Sequence, residues 1–214
     1  MTRNVAIGAA ATLALMLTAT FAAGEGWISR LFGGGEQDRF AECRTGQVAG
    51  GAGQIGGDFT LVDAQGETVT SDEVLTEPSL LYFGYTFCPD VCPLDTARNV
   101  AAVEILEERG QMVTPVFISV DPARDTPEVV GDFAANLHPR MIGLTGSEEQ
   151  VQEASKAYRT YFKRHDDTED DYYLVDHSTF SYLVLPDHGF VEFFRREIGP
   201  EEMADAIGCF LENS

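Results

Sequence analysis

The chain has 214 residues, of which 44% are hydrophobic and 23% charged, enough for one ordinary globular domain with appendages. Acidic residues number 35 against 14 lysines and arginines, and the formal net charge is −21 at pH 7. Binding to a nucleic-acid backbone needs clustered lysine and arginine, so this balance argues against a nucleic-acid partner.

The N-terminus differs in kind from the rest of the chain. Arg3 precedes an uncharged, apolar run from Val5 to Ala23, whose length lies between that of a signal-peptide core and that of a membrane-spanning helix. The run is therefore either cleaved after its small residues or retained as an anchor. Trp27 fits the outer membrane interface, and no clear cleavage motif ends the run. We predict a retained anchor over residues 1–24 and export of the remainder.

Residues 25–54 are rich in glycine and polar groups, which predicts a flexible tether to a domain over residues 55–214. That domain opens with a β-hairpin that turns between Asp63 and Gly66. Three apolar runs then have the composition of buried strands. They are Ser79–Tyr85, Val113–Val120 and Phe180–Leu185, the last paired through a turn with Phe190–Phe194.

Helical patterns separate the predicted strands. One helix starts behind Pro93 and stops at Gly110, and another is capped by Thr126. A third opens with a capping box at Ser147 and is predicted to reach Phe162, while Pro200 opens the last helix. Strands that alternate with helices and end in a hairpin predict an α/β fold, in which a central mixed sheet is flanked by helices.

Two cysteines lie at the junction between the first buried strand and the first helix. Functional groups collect at the carboxyl ends of central strands, and a helix N-terminus favours a thiolate. The three residues between Cys88 and Cys92 let both sulfurs turn to one side of the helix start. This spacing alone fits a metal pair, a redox disulfide or a structural staple.

Four segments around and beyond these cysteines form a recognisable pattern. They read IGGDFTL at 55–61, YFGYTFCPDVCP at 82–93, SVDPARDTP at 119–127 and DHSTFSYL at 176–183. Together they resemble the SCO/SenC family of copper proteins over about residues 55–207. The resemblance implies a thioredoxin-like fold with an N-terminal β-hairpin and membrane anchor, and copper ligands at Cys88, Cys92 and His177.

The resemblance also implies a function. The chain would receive one copper ion, as Cu(I) or Cu(II), from an upstream periplasmic donor. It would deliver that ion to the copper-bearing subunit of cytochrome c oxidase during assembly of its dinuclear copper site. A single-pass anchor would hold it on the inner membrane, with the domain in the periplasm or the equivalent intermembrane space. The donor set agrees, since two thiolates and one imidazole form a soft, open site that suits Cu(I), whereas zinc usually recruits a fourth ligand.

Two other functions occur on the same fold. A membrane-anchored thiol–disulfide oxidoreductase, which reduces the cysteines of a copper-accepting partner, stays open as the alternative. Whether the chain is an enzyme therefore stays open too. A peroxiredoxin-like peroxidase is disfavoured, because Tyr85 stands where those enzymes have threonine and Leu81 where they have proline.

Two aspartates lie close in sequence to the predicted site. Asp121 ends the second central strand, and it either contacts ligands or a partner, or completes a self-satisfied turn with Arg124. Asp176 either orients the imidazole of His177 or caps a turn.

Cys43 and Cys209 lie outside the family pattern, near the two ends of the exported part. We predict a disulfide between them because exported thiols tend to pair; the alternative is that Cys209 is a small buried residue. The remaining histidines, His138, His165 and His188, have no cysteine neighbours and are interpreted as solvent-facing.

Overall fold

The structure, a computed structural model, describes residues 39–44, 54–165 and 173–214. The predicted anchor and all but a few residues of the predicted tether lie outside these ranges. No helix within them is long and apolar enough to cross a membrane. The chain divides into two compact units, residues 1–41 and residues 42–214, and the second contains every element named below.

Strands and helices alternate through most of this second unit. The strands are β1 Thr60–Val62, β2 Thr68–Thr70, β3 Ser79–Gly84, β4 Thr114–Ser119, β5 Ile142–Leu144, β6 Phe162–Arg164, β7 Val175–His177, β8 Ser181–Leu185 and β9 Gly189–Phe194. The helices are α1 Ser71–Val74, α2 Val91–Glu108, α3 Pro127–Leu137, α4 Glu148–Ala157 and α5 Pro200–Glu212.

A five-stranded sheet in the order β5-β4-β3-β8-β9 lies at the centre. β3 and β5 run parallel to β4, whereas β8 runs antiparallel to both β3 and β9. The predicted mixed sheet is therefore confirmed. Every residue of β3 and β4 is buried, which explains why these two segments are apolar on both faces.

The predicted N-terminal hairpin is also confirmed. β1 pairs antiparallel with β2, with Thr60 opposite Thr70. The carboxylate of Asp63 closes the turn, because its Oδ1 accepts hydrogen bonds from the backbone N–H groups of Gln65 and Glu67, each at 2.9 Å. Aspartate is common in turns because its carboxylate can accept hydrogen bonds from the backbone of the same turn in this way.

The helix starts follow local rules of capping. The Thr126 side chain accepts from the N–H of Val129, and Ser147 forms a capping box with Gln150. α2 begins at Val91, upstream of Pro93, so the proline lies in the first turn, where its missing N–H costs nothing.

The predicted extension of the third helix to Phe162 is wrong. α4 ends at Ala157, and Arg159 adopts a φ of 50°, a left-handed conformation that breaks the helix. Phe162 then begins β6, which pairs antiparallel with β7 and places Phe162 opposite His177. This small hairpin was not predicted, and it carries the histidine of the candidate site.

The C-terminal helix packs near the far end of α2. Arg109, just past that end, forms an ion pair with Asp205 at 2.8 Å, and the side chain of Gln111 covers Gly208. The structure joins Cys43 and Cys209 in a disulfide with a Cα–Cα distance of 5.5 Å. Since the 18 residues of α2 span about 27 Å, this disulfide lies at the end of the helix remote from its N-terminal turn.

Candidate metal centre

The cysteine loop connects the end of β3 to the start of α2. The N–H of Cys88 donates to the carbonyl of Tyr85 at 3.3 Å, and the N–H of Cys92 donates to the Cys88 sulfur at 3.4 Å. Both cysteines are free thiols and both are buried, Cys88 at 7% exposure and Cys92 at 0%. The turn therefore fixes one sulfur directly over the amide group of the other cysteine.

Asp125 fastens this loop to the end of β4. Its carboxylate accepts hydrogen bonds from the Thr86 N–H at 3.0 Å, the Thr86 hydroxyl at 2.5 Å and the Ser119 hydroxyl at 2.6 Å. Burial raises the pKa of Asp125, and these donors partly offset the effect. Asp125 was not among the site residues predicted from the sequence, although its position within the SVDPARDTP segment was the available signal.

β7 brings His177 to the cysteine loop. Its Nε2 lies 3.1 Å from the Cys92 sulfur, and its Nδ1 lies 2.9 Å from the carbonyl of Ser178. Because a carbonyl only accepts, we assign the proton to Nδ1, which leaves the Nε2 lone pair facing the sulfur. Burial lowers the pKa of His177, so the imidazole is neutral at neutral pH and able to bind a metal.

The structure brings together the three residues that the sequence indicated as ligands. One donor atom from each of Cys88, Cys92 and His177 lies within 4.8 Å of the other two. Within the described ranges, no other group of three or more histidine, cysteine or acidic side chains meets this condition. A sphere of two sulfurs and one nitrogen is typical of soft metal ions.

The two thiols differ in their protonation. For Cys88, burial raises the thiol pKa, but backbone N–H groups, led by those of Cys92 and Asp90, outweigh it and leave the pKa below its usual value. For Cys92, burial raises the pKa far above the usual value, and the adjacent Cys88 adds to the increase. The metal-free site therefore contains one thiol that ionises readily and one that retains its proton until a cation replaces it.

Asp121 is buried and forms the turn that was one of its two predicted roles. Its carboxylate accepts from Arg124 Nε at 2.5 Å and from the Tyr173 hydroxyl at 2.6 Å. Its carbonyl accepts from the N–H of Asp125 at 3.0 Å. The Arg124 guanidinium lies 3.6 Å from the centroid of the Tyr173 ring and 5.1 Å from that of Phe87. Arg124 therefore connects Asp121 to Phe87 of the cysteine loop.

Asp176 does not hold the imidazole of His177, as one of its predicted roles required. Its Oδ2 lies 2.7 Å from Nε2 of His165, in an exposed pair. The Nδ1 of His177 is hydrogen-bonded to its own neighbour, Ser178, so the backbone orients the ring. A strand points successive side chains to opposite faces, which is why adjacent Asp176 and His177 do not meet.

The interpretation of His138 as solvent-facing is wrong. This side chain is 4% exposed, with its Nε2 3.4 Å from the Glu107 carboxylate, and its Nδ1 accepts from the Arg140 N–H at 3.2 Å. It caps the end of α3 and turns inward onto α2, where an ion pair between Arg140 and Glu107 already forms. His165 and His188 are exposed, as expected.

Two tyrosines that the sequence analysis did not identify as site residues flank the imidazole. The rings of Tyr82 and Tyr85 both meet the His177 ring in T-shaped contacts, with centroid distances of 6.1 and 5.8 Å. The hydroxyl of Tyr82 donates to the buried carboxylate of Asp95 at 3.0 Å. Their place in the YFGYTFCPDVCP segment, at a strand end before the cysteines, was the available signal.

Large apolar side chains next to the ligands in sequence are exposed. Phe87, which precedes Cys88, is 54% exposed, and Leu94, just after Cys92, is 62% exposed. Leu174, at the start of the segment that leads to His177, is 57% exposed. Exposed large apolar side chains that lie close in sequence to buried donor atoms are consistent with a surface that meets another protein.

Comparisons with known proteins agree with this geometry. The SCO1/SenC family model matches residues 47–212. Protein SenC of Rhodobacter capsulatus is 55% identical over 177 residues, which cover 83% of this chain and 79% of SenC. The crystal structure of Arabidopsis thaliana ScoI with copper bound superimposes with a TM-score of 0.69 at 38% identity, covering 75% of this chain and 99% of ScoI.

A second similar solved structure is that of BsSco. BsSco, described as a member of the Sco family of cytochrome c oxidase assembly proteins with a disulfide switch, has a TM-score of 0.58 at 25% identity. The match covers 73% of this chain and 93% of BsSco. The structural likeness confirms the predicted thioredoxin-like fold.

Proposed function

The chain belongs to the SCO1/SenC family, and on that premise we propose that it binds one copper ion and delivers it during assembly of cytochrome c oxidase. The ligands are Cys88, Cys92 and His177. The observation that carries the proposal is the convergence of their three donor atoms within 4.8 Å, in a chain similar to a ScoI whose structure holds copper.

The chemistry of the site suits loading and release. Cu(I) accepts low coordination and prefers sulfur, so two thiolates and one imidazole satisfy it without a fourth protein ligand. Binding displaces the proton that the raised pKa of Cys92 keeps on its sulfur, while the neutral His177 offers Nε2 without losing a proton. Because the site has three ligands, a donor atom from an accepting protein attacks the copper before the first protein ligand leaves.

The surface around the site supports a handover between proteins. The exposed side chains of Phe87, Leu94 and Leu174 offer apolar contact close to the ligands. A copper-bearing oxidase subunit and an upstream periplasmic copper donor are the partners that this surface serves in turn. The formal net charge of −21 favours partners with basic patches on the side that approaches.

The attachment of the domain fits the same function. A retained anchor at residues 1–24 holds the chain on the inner membrane, with the domain in the periplasm or the equivalent intermembrane space. The disulfide between Cys43 and Cys209 joins the tether to α5, near the end of α2 remote from Cys92.

A thiol–disulfide oxidoreductase is the second candidate, and a specific observation favours it. Cys88 and Cys92 are both free, their sulfurs lie within 4.8 Å, and the pKa of Cys88 is lowered. A thiol pair of this kind is able to exchange with a partner's disulfide. The two functions are compatible, since an accepting protein has to have reduced cysteines before it takes copper.

A copper titration separates the two candidates. The reduced full-length chain, kept in detergent, is titrated with Cu(I) and then with Cu(II), alongside His177→Ala and the control His188→Ala. We expect one equivalent of copper to bind, thiolate-to-Cu(II) charge-transfer absorption, and at least a tenfold loss of affinity in His177→Ala, because loss of a ligand exceeds the loss of an outer hydrogen bond. His188 is exposed, and its variant keeps the wild-type affinity.

The opposite result gives the oxidoreductase precedence. In that case His177→Ala binds copper as the wild type does, while reduction of a disulfide in a model partner becomes slower. Copper delivery fails outright if the wild-type chain binds no copper through its cysteines.

A further inference from the structure

A cleft of about 340 Å³ opens at the opposite end of β3 from the cysteine loop. The first residue of β3, Ser79, pairs with Val184, which lines the cleft, whereas the cysteine loop follows Gly84, the last residue of the strand. The cleft therefore lies apart from the proposed copper ligands. Its volume is in the range of small-ligand pockets. The apolar side chains that line it are Leu75, Val184, Leu185, Pro186 and Phe190.

Tyr158 lines this cleft and carries a hydroxyl without a hydrogen-bond partner among the described residues. The side chain is 2% exposed, and its ring lies 5.5 Å from that of Phe83, measured between centroids. Burial raises the pKa of Tyr158, and the nearby carboxylate of Asp58 adds to the increase, so the hydroxyl keeps its proton. A buried hydroxyl that lacks a partner costs free energy. Its place in the wall of a cleft indicates that a bound molecule completes its hydrogen bonds.

The charged part of the wall is acidic. Asp58 and Asp72 both line the cleft and are exposed, and neither forms an ion pair within the part of the chain that the structure describes. No lysine, arginine or histidine lines the cleft. Carboxylates without a basic neighbour attract cations, and the formal net charge of −21 adds to this attraction. The wall therefore favours a cation over an anion.

A bare metal ion does not suit this wall. A protein site for a hard cation needs several convergent oxygen ligands, and no group of three or more histidine, cysteine or acidic side chains converges among the described residues of the cleft. A bare ion would also leave the apolar side chains without a role. A cation on an apolar stem uses both parts of the wall, because its head meets polar groups while its stem covers Leu185 and Phe190.

We propose that this cleft binds a compact organic cation, an alkylguanidinium or alkylammonium group. The head of the cation donates a hydrogen bond to the hydroxyl of Tyr158 and is neutralised by Asp58 and Asp72. Its stem packs on Leu185 and Phe190. Free amines and the arginine or lysine side chains of another protein carry this same chemistry. The site is independent of copper delivery, since it lies at the other end of β3.

Titration of the reduced, metal-free, full-length chain in detergent with butylguanidinium tests the proposal. The amide chemical shifts of the isotope-labelled chain report where the probe binds. Butylurea is the control probe, because it has nearly the same shape without the charge. We expect butylguanidinium to move the signals of Gly57, Leu75 and Gly189, and to bind at least about threefold more tightly than butylurea. A capped peptide with one central arginine is titrated in parallel: tighter binding than butylguanidinium assigns the group to a protein partner, and weaker binding assigns it to a free small molecule.

Variants identify the groups that hold the cation. Tyr158→Phe removes only the hydroxyl, and we expect it to weaken binding about five- to tenfold without lowering the stability of the unliganded chain, since no hydrogen bond within the fold is lost. Asp58→Asn combined with Asp72→Asn weakens binding about three- to tenfold, and by less at high salt. The controls Tyr161→Phe and Asp132→Asn alter exposed side chains outside the cleft and keep the wild-type affinity.

Three results overturn the proposal. Equal binding of butylguanidinium and butylurea shows an apolar cleft that does not select a cation. Wild-type affinity in Tyr158→Phe shows that the hydroxyl does not bind the head. Loss of stability in unliganded Tyr158→Phe, but not in Tyr161→Phe, shows that the hydroxyl already has a partner within the fold.

Discussion

Gly84, the last residue of β3, lies directly behind the candidate site. A Cβ added there would lie 2.8 Å from Cε1 of Tyr82, 3.1 Å from the sulfur of Cys92 and 3.2 Å from Cε2 of Phe117. All three neighbours are at most 2% exposed, so none of them is free to swing into solvent. The Gly84→Ala substitution therefore causes steric overlap with the proposed copper ligand Cys92 and with the core side chains Tyr82 and Phe117.

The size of the effect follows from these distances. Carbon atoms pack at about 3.5–4.0 Å, so the Tyr82 ring has to retreat by roughly 0.7 Å and the Cys92 sulfur by roughly 0.5 Å. Overpacking of this kind in a buried region costs about 1–3 kcal/mol of unfolding free energy. Displacement of the sulfur from Nε2 of His177, now 3.1 Å away, also weakens Cu(I) binding.

Denaturant unfolding of the metal-free chain and Cu(I) competition measure the two effects of Gly84→Ala. The control is Gly199→Ala, because a Cβ at Gly199 would meet its nearest atom, a carboxylate oxygen of Glu201, at 3.9 Å. Gly199 is the N-cap of α5, where alanine caps less well than glycine, so we expect the control to lose at most about 1 kcal/mol. If Gly84→Ala matches the control in stability and the wild type in copper affinity, the space behind Cys92 is not as tight as these distances indicate.

Three further predictions concern the cysteines and the histidine. Replacing Cys43 and Cys209 together by serine lowers the unfolding free energy by up to about 5 kcal/mol in the chain-entropy model, since the disulfide spans 166 residues; a loss below about 1 kcal/mol in denaturant titration contradicts this. Iodoacetamide at pH 7 alkylates Cys88 of the metal-free chain before Cys92, because the pKa of Cys88 is lowered and that of Cys92 raised; peptide mass spectrometry after brief labelling identifies the first site. Burial lowers the pKa of His177 in the folded chain, so the unfolded chain binds the proton more tightly. The contribution of His177 to the free energy of unfolding is therefore complete above pH 6.5. It is lost as the pH falls through the folded-state pKa. The metal-free His177→Gln variant therefore loses less stability than the wild type between pH 7 and pH 5, and equal losses would count against a buried, neutral imidazole.

The central sheet and the cysteine loop were predictable because their determinants are local. β3 and β4 are apolar on both faces, and the positions of Pro93 and Thr126 indicate where the next helices begin. Cys92 directly precedes Pro93 and lies with it in the first turn of α2. Periodicity and capping act over a few residues, so one sequence contains enough information to place them.

The placement of His177 and of the aspartate that holds the cysteine loop could not be predicted locally, because it depends on contacts between distant parts of the chain. β6 and β7 have three residues each, too few for an alternating pattern, and only their pairing places His177 beside Cys92. Asp125 accepts a hydrogen bond from the cysteine loop, whereas Asp121 accepts one from Arg124. Which of the two aspartates faces the loop depends on the backbone conformation at the end of β4. The prediction of His177 as a ligand came from the resemblance to a family and not from its own neighbours in sequence.

X-ray absorption at the copper edge of the Cu(I)-loaded full-length chain reports the atoms that bind the copper. We expect one copper per chain, with two sulfur neighbours and one imidazole nitrogen, and loss of the nitrogen contribution in His177→Ala. A copper bound by oxygen and nitrogen alone, with Cys88 and Cys92 joined in a disulfide, would rule out Cys88, Cys92 and His177 as the ligand set.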